Sequence, residues 1–89
     1  MTATRELHTA YAYSPKYRTY TFAVYIRETG NPGDPSRVWK TFCRYAVDDT
    51  REAAERSALA YLEGTGAEKL RRVDHGRKDY STVTGYLFP

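Results

Sequence analysis

Residues 17 to 28 alternate between two kinds of side chain. Tyr17, Thr19, Thr21, Ala23, Tyr25 and Arg27 fall on one side, and Arg18, Tyr20, Phe22, Val24 and Ile26 on the other. A period of two belongs to a strand, whose successive side chains point to opposite faces. This pattern predicts that Phe22, Val24 and Ile26 enter the core and that the Tyr/Thr row lies on an open face. A shorter alternation precedes it, with Leu7, Thr9, Tyr11 and Tyr13 set against His8, Ala10 and Ala12. It predicts a first strand, joined to the second by a turn at Ser14-Pro15-Lys16. Residues 29–36 hold Gly30, Pro32, Gly33 and Pro35, a composition that suits a long hairpin loop and neither strand nor helix. Residues 37–47 then alternate again, with Trp39, Cys43, Tyr45 and Val47 facing one way and Val38, Lys40, Phe42, Arg44 and Ala46 the other.

The period changes after Asp48. Ala53, Ala54, Ser57, Ala58, Ala60, Tyr61 and Leu62 form one broad face at helical spacing. Most of these side chains are small, which lets the helix lie close against a sheet. Asp49 is the expected N-cap, with Glu52 completing a capping box, Glu52 and Arg56 forming an i,i+4 pair, and Gly64 stopping the helix. Leu59 falls on the opposite side, among Glu52, Glu55, Arg56 and Glu63, and looks like an exposed anchor. Residues 68–75 fit a helical turn or a short strand equally well. Residues 80–88 alternate and are rich in Thr, Val and Tyr, so they are expected to form a last strand. The order predicts an α+β fold: a three- to five-stranded antiparallel sheet with one main helix packed on one face, β-β-β-α-β-β in sequence. Eighty-nine residues allow one domain, 1–89, and no second core.

Composition refines this picture. At 40% hydrophobic and 28% charged the chain is in the globular range, and nine tyrosines give its small core and surface much of their contact area. The net charge is +3, unevenly spread. Residues 1–47 hold seven Lys/Arg against three Asp/Glu, residues 48–67 two against five, and residues 68–89 five against three. An acidic segment thus lies between two basic ones, which suits meeting a charged partner. Cys43 is the only cysteine, so no internal disulfide forms. No apolar run suggests a signal peptide or a membrane span, and the expectation is a cytoplasmic protein with no membrane partner.

No catalytic constellation stands out. Cys43 has only His8 and His75 as potential bases, both far away in sequence, and reads as a structural thiol. Two distant histidines and one cysteine do not make a metal site. No Gly-rich phosphate loop precedes a helix, because Gly30 and Gly33 sit with prolines in turn chemistry. The pair Asp48-Asp49 is explained by helix capping. The expectation is a non-enzymatic protein without cofactor or metal.

Binding is what the side chains favour. Tyrosine and arginine make large contacts at little entropic cost and dominate interface hot spots. A sheet face bearing Tyr17, Tyr25, Arg27, Lys40, Phe42 and Arg44 suits either a protein partner or nucleic-acid bases that stack on its rings. Arg71 and Arg72, within the cluster Lys69, Arg71, Arg72, Arg77 and Lys78, extend that surface, and Leu59 offers a second edge.

The stretch Tyr45-Ala46-Val47-Asp48-Asp49-Thr50-Arg51-Glu52-Ala53-Ala54 resembles a pattern of small phage and mobile-element proteins, in which a strand ending in an apolar pair runs into an Ala-rich helix. Some anti-CRISPR proteins look like this: under a hundred residues, a twisted antiparallel sheet, one helix and no catalytic group. The resemblance implies steric inhibition of a host protein or ribonucleoprotein complex in the host cytoplasm, with homodimerisation allowed. The alternative is a small nucleic-acid-binding protein that uses the same basic aromatic face.

Overall fold

A computed structural model describes residues 4–30, 39–79, 81 and 83, the side chains of residues 39–42 excepted. Two strands, β1 (Thr4–Ser14) and β2 (Thr19–Thr29), form an antiparallel hairpin in continuous register, from Thr4 opposite Thr29 to Ser14 opposite Thr19. The turn at residues 15–18 closes through Arg18, whose φ of 54° is left-handed. The strand expected from residue 17 therefore begins two residues later. Strand β3 (Trp39–Asp48) returns beside β2. The hairpin loop expected at residues 29–36 lies mostly outside the described residues.

Helix α1 (Arg51–Ala60) follows. Its N-cap is Thr50, not Asp49: the Thr50 hydroxyl accepts from the Ala53 amide at 3.1 Å. The cap thus sits one residue later than expected, which moves Glu52 out of the capping-box position. Along the helix the ion pair joins Arg51 to Glu55 at 3.3 Å, rather than Glu52 to Arg56. Thr50→Ala is expected to lower stability by about 1 kcal/mol, and Asp49→Ala by less; urea denaturation of the two variants measures which residue caps. After Ala60 the chain continues in tighter turns, Leu62 bonding back to Leu59 and Glu63 to Ala60, before Gly64 takes a left-handed φ of 78°.

A 3-10 turn at Ala67–Lys69 leads into β4 (Arg71–Arg77), which pairs with β1. The sheet order is β3-β2-β1-β4, and β4 runs parallel to β1. The sheet is therefore mixed, not fully antiparallel. The physical reason is the crossover. The meander leaves the chain at the β3 edge, the helix carries it back along the strands, and β4 must enter from the end where β1 began. The expected final strand at residues 80–88 is corrected where it is described: residues 81 and 83 are helical, and the Val83 amide bonds to Asp79 O at 3.1 Å. The rest of it lies outside the described residues.

The main core sits between sheet and helix. Leu7, Phe22, Val24 and Ile26 from the sheet meet Ala54, Ala58, Leu62 and Ala67. The two helix alanines are fully buried, so the helix backbone lies close to the strands. Burying a side chain the size of Leu62 or Val24 contributes about 1.5–3 kcal/mol. On the other face Ala10, Ala12 and Ala23 pack with Val83 in a second, smaller core.

Candidate interaction surface

The face away from the helix is not open. Tyr25 is only 3% exposed, and Ala10, Ala12 and Ala23 beside it are covered as well. The alternation of β2 correctly separates two faces, but both are buried at the centre of the sheet. Arg27 is half-buried, and its Nε is shielded from solvent with no hydrogen-bond partner among the described residues. Lys40 is paired in register with Arg27, and Arg44 with Val24, with a register shift between them. That irregularity breaks the alternation expected to place Lys40 and Arg44 on one face. The side chains of Lys40 and Phe42 lie outside the described residues.

The remaining expected contact residues disperse. Arg44 is exposed and donates to Cys43 O at 2.8 Å. Leu59 is half-buried against the main core, so it is a packing residue and not a free anchor. Its place among charged neighbours does not keep it out of the core, because the core cluster extends past the end of the helix to Leu62 and Ala67. Arg71 is exposed and reaches Glu6 at 3.3 Å. Arg72, adjacent in the strand, points to the helix face, where it bonds Glu55 at 2.8 Å and Asp74 at 2.6 Å and lies over the Phe22 ring. Burial works against its charge, but these hydrogen bonds more than offset it and raise its pKa. Asp74 in turn accepts from the buried Thr9 hydroxyl, which, with Arg72, holds its carboxyl below the usual range against the opposing effect of burial.

Aromatic and basic side chains do converge at the hairpin end of the sheet. Tyr11, Tyr13 and Tyr20 share the helix side of β1 and β2, with Tyr13 and Tyr20 rings 4.9 Å apart and Tyr11 and Tyr20 rings 6.3 Å apart. Arg51 lies over Tyr11 and Arg77 over Tyr13, at 5.6 and 5.7 Å. Tyr11, Tyr20, Arg51 and Arg77, with Asp49, Thr50 and Glu52, line a groove of about 440 Å³. Around the turn, Tyr13, Pro15, Lys16, Tyr17, Thr21 and Val47 line a second, more apolar groove of about 590 Å³. Tyr17 is 68% exposed there, with Lys16 over its ring, and Val47 and Tyr45 are each 51% exposed. Tyr17 and Val47 thus leave an exposed apolar area in this groove, while Tyr45 lines a separate one with Ser57 and Tyr61. Among the expected contact residues whose side chains are described, Tyr17 alone lines the groove around the turn. Tyr11, Tyr13 and Tyr20 carry the right chemistry in the sequence, but only the pairing of β1 with β2 places them together.

The structure also joins two residues that the sequence leaves far apart. His8, 2% exposed on β1, and His75 on β4 have ring nitrogens Nδ1 and Nε2 only 2.7 Å apart. Glu6 Oε1 lies 3.4 Å from the other nitrogen of His8, and the Tyr25 ring packs on the His8 ring with centroids 5.3 Å apart. Burial, followed by the charges of His8, Lys78 and Arg27, lowers the pKa of His75. No group of three or more His, Cys, Asp or Glu side chains suited to a metal ion occurs among the described residues. Nor is any helix among them long and apolar enough to cross a membrane.

No family model, curated protein or solved structure matches this chain.

Proposed function

We propose that the chain is a non-enzymatic cytoplasmic binding protein that occupies a surface of a larger protein or nucleoprotein complex, in the manner of a phage-type inhibitor of a host defence assembly. The observation that carries this reading is the hairpin end of the sheet, where Tyr17 and Val47 stand exposed and line one groove with Lys16. Steric blocking needs a rigid surface with aromatic and basic anchors and no reactive group. The β1–β2 hairpin supplies the rigidity, because its ladder continues to the last residue before the turn. Burial of Tyr25, and the ion pairs of Arg71 and Arg72, count against direct nucleic-acid binding through the sheet face.

Affinity capture from bacterial lysate, with and without nuclease, tests the reading. A stoichiometric protein complex is expected to survive nuclease with the wild type and to be lost with Tyr17→Ala combined with Val47→Lys. Truncating an interface anchor weakens binding by about 2 kcal/mol or more, roughly thirtyfold. Both side chains are exposed, so the melting temperature of the variant should stay close to that of the wild type. Recovery that depends on nucleic acid, or capture indifferent to both substitutions, would overturn the assignment of this surface.

A further inference from the structure

Strand β3 ends the sheet on the side away from β4, and no further strand pairs with it among the described residues. An edge strand presents a row of backbone N–H and C=O groups ready to receive another strand. The two edges of this sheet differ. β4 is blunted by Arg71, Arg72, Asp74 and Arg77, and its ladder is broken between Thr9 and Tyr11 of β1. β3 runs in unbroken register with β2 over residues 44–48, and its register shift lies beyond that stretch. Within the stretch Tyr45 and Val47 are each 51% exposed. With Ala46 they line a groove of about 680 Å³, whose far side is Ser57 and the equally exposed Tyr61.

We propose that this edge is a self-interface, in which β3 pairs antiparallel with β3 of a second copy about a two-fold axis at Ala46, joining the two sheets into one.

The side chains decide both the occupant and the register. A two-fold axis normal to the sheet sets each residue opposite one on its own face, so the axis passes through a residue and not between two. With the axis at Ala46, Arg44 lies opposite Asp48 and Tyr45 opposite Val47, once in each direction. Opposite charges, and an aromatic ring against a β-branched side chain, are the favourable cross-strand pairs. An axis at Arg44 would set two guanidinium groups against each other. An axis at Tyr45 or Val47 would separate Arg44 from Asp48. The unbroken stretch is thus complementary to itself in one register.

The helix fits the same arrangement. α1 packs over β2 and β3, and the axis places the second helix on the same face of the joined sheet. Helices so placed are two strand spacings apart, about 9.6 Å, and helices pack at about 8–10 Å. Ser57 and Tyr61, at i,i+4 spacing, already turn to the β3 edge, while Glu55 on the other flank is held by Arg72. Ser57 is small and leaves room for the second helix. The groove at the hairpin end shares only Val47 with this edge, so the inference does not rest on the binding role proposed above.

Sedimentation equilibrium of the purified chain from about 1 μM to about 1 mM covers the affinities of modest interfaces. The mass is expected to rise from 10.2 kDa towards twice that value as concentration increases. Arg44→Asp alone and Asp48→Arg alone each set like charges opposite each other twice. Each should weaken self-association by about tenfold or more. An equimolar mixture of the two variants restores both opposite-charge pairs and should dimerise as the wild type does. Circular dichroism checks that each variant is folded. A second test needs no change of charge: Ala46→Cys in a Cys43→Ser chain. Residues directly opposite have Cα atoms about 4.5–5.5 Å apart, within disulfide reach, so mild oxidation should link two copies through position 46. Four results would each overturn the self-interface: a wild-type mass that stays at 10.2 kDa throughout, a dimer that either charge reversal leaves unweakened, a mixture of folded variants that fails to dimerise, or no cross-link through position 46.

Discussion

Phe22→Ala is expected to destabilise the protein by about 3–5 kcal/mol, which is much of the roughly 5–13 kcal/mol available to a chain of this length. Phe22 is 2% exposed at the centre of β2. Its ring lies parallel to Tyr11 with centroids 6.5 Å apart, and the Arg72 guanidinium covers it at 5.9 Å. Truncation removes the ring's own burial and leaves a hole that neighbours cannot fill. Ala54 and Ala58 are too small to expand into it, and the strands are fixed by their ladder. The loss should appear in urea denaturation as a lower midpoint with little change in slope. Arg72 would also lose the ring beneath it while keeping Glu55 and Asp74. A loss below about 1 kcal/mol would mean that the helix does not pack on this row.

Leu59→Asp is the second large effect, expected at about 2–3 kcal/mol, because a carboxylate would be held half-buried against apolar neighbours without a partner. In a domain of this size each kcal/mol moves the melting temperature by about 4–8 °C. Its sequence neighbours on the helix surface, Glu52, Glu55, Arg56 and Glu63, suggest an exposed anchor, and the structure instead packs Leu59 against the main core. The two positions separate in one experiment. A large fall in melting temperature identifies a packing residue. An unchanged melting temperature with loss of partner capture would restore Leu59 as a contact. Tyr17→Ala, at a site 68% exposed, is expected to behave the opposite way.

The candidate surface was only partly legible. Tyr17 and Lys16 lie in a local turn whose exposure follows from Pro15 and the flanking strands. The assignments of Tyr25 and Arg27 to an open face failed for a different reason. Alternation tells which side chains share a side, but not whether a second layer covers that side. Here Ala10, Ala12 and Ala23 make a shallow surface on which Val83 packs, and the row beside them is buried with it. Arg72 looked like a free cation beside Arg71. Its strand phase turns it instead toward Glu55, and its charge is held within the fold.

What the sequence determined by itself is local. Periods of two over residues 7–13 and 17–28 set β1 and β2, and small residues at helical spacing set α1, because a strand or helix pattern is written within about ten residues. The same alternation chose Phe22, Val24 and Ile26 for the main core. The tertiary structure decided what depends on distance along the chain. β4 carries one large apolar side chain and so no pattern, and its parallel pairing with β1 follows from the direction in which the helix crosses the sheet. His8 and His75 are 67 residues apart, and nothing local to either foretells a bond between them. Burial on both faces, the parallel edge strand and the histidine pair all arise from how the layers close on one another.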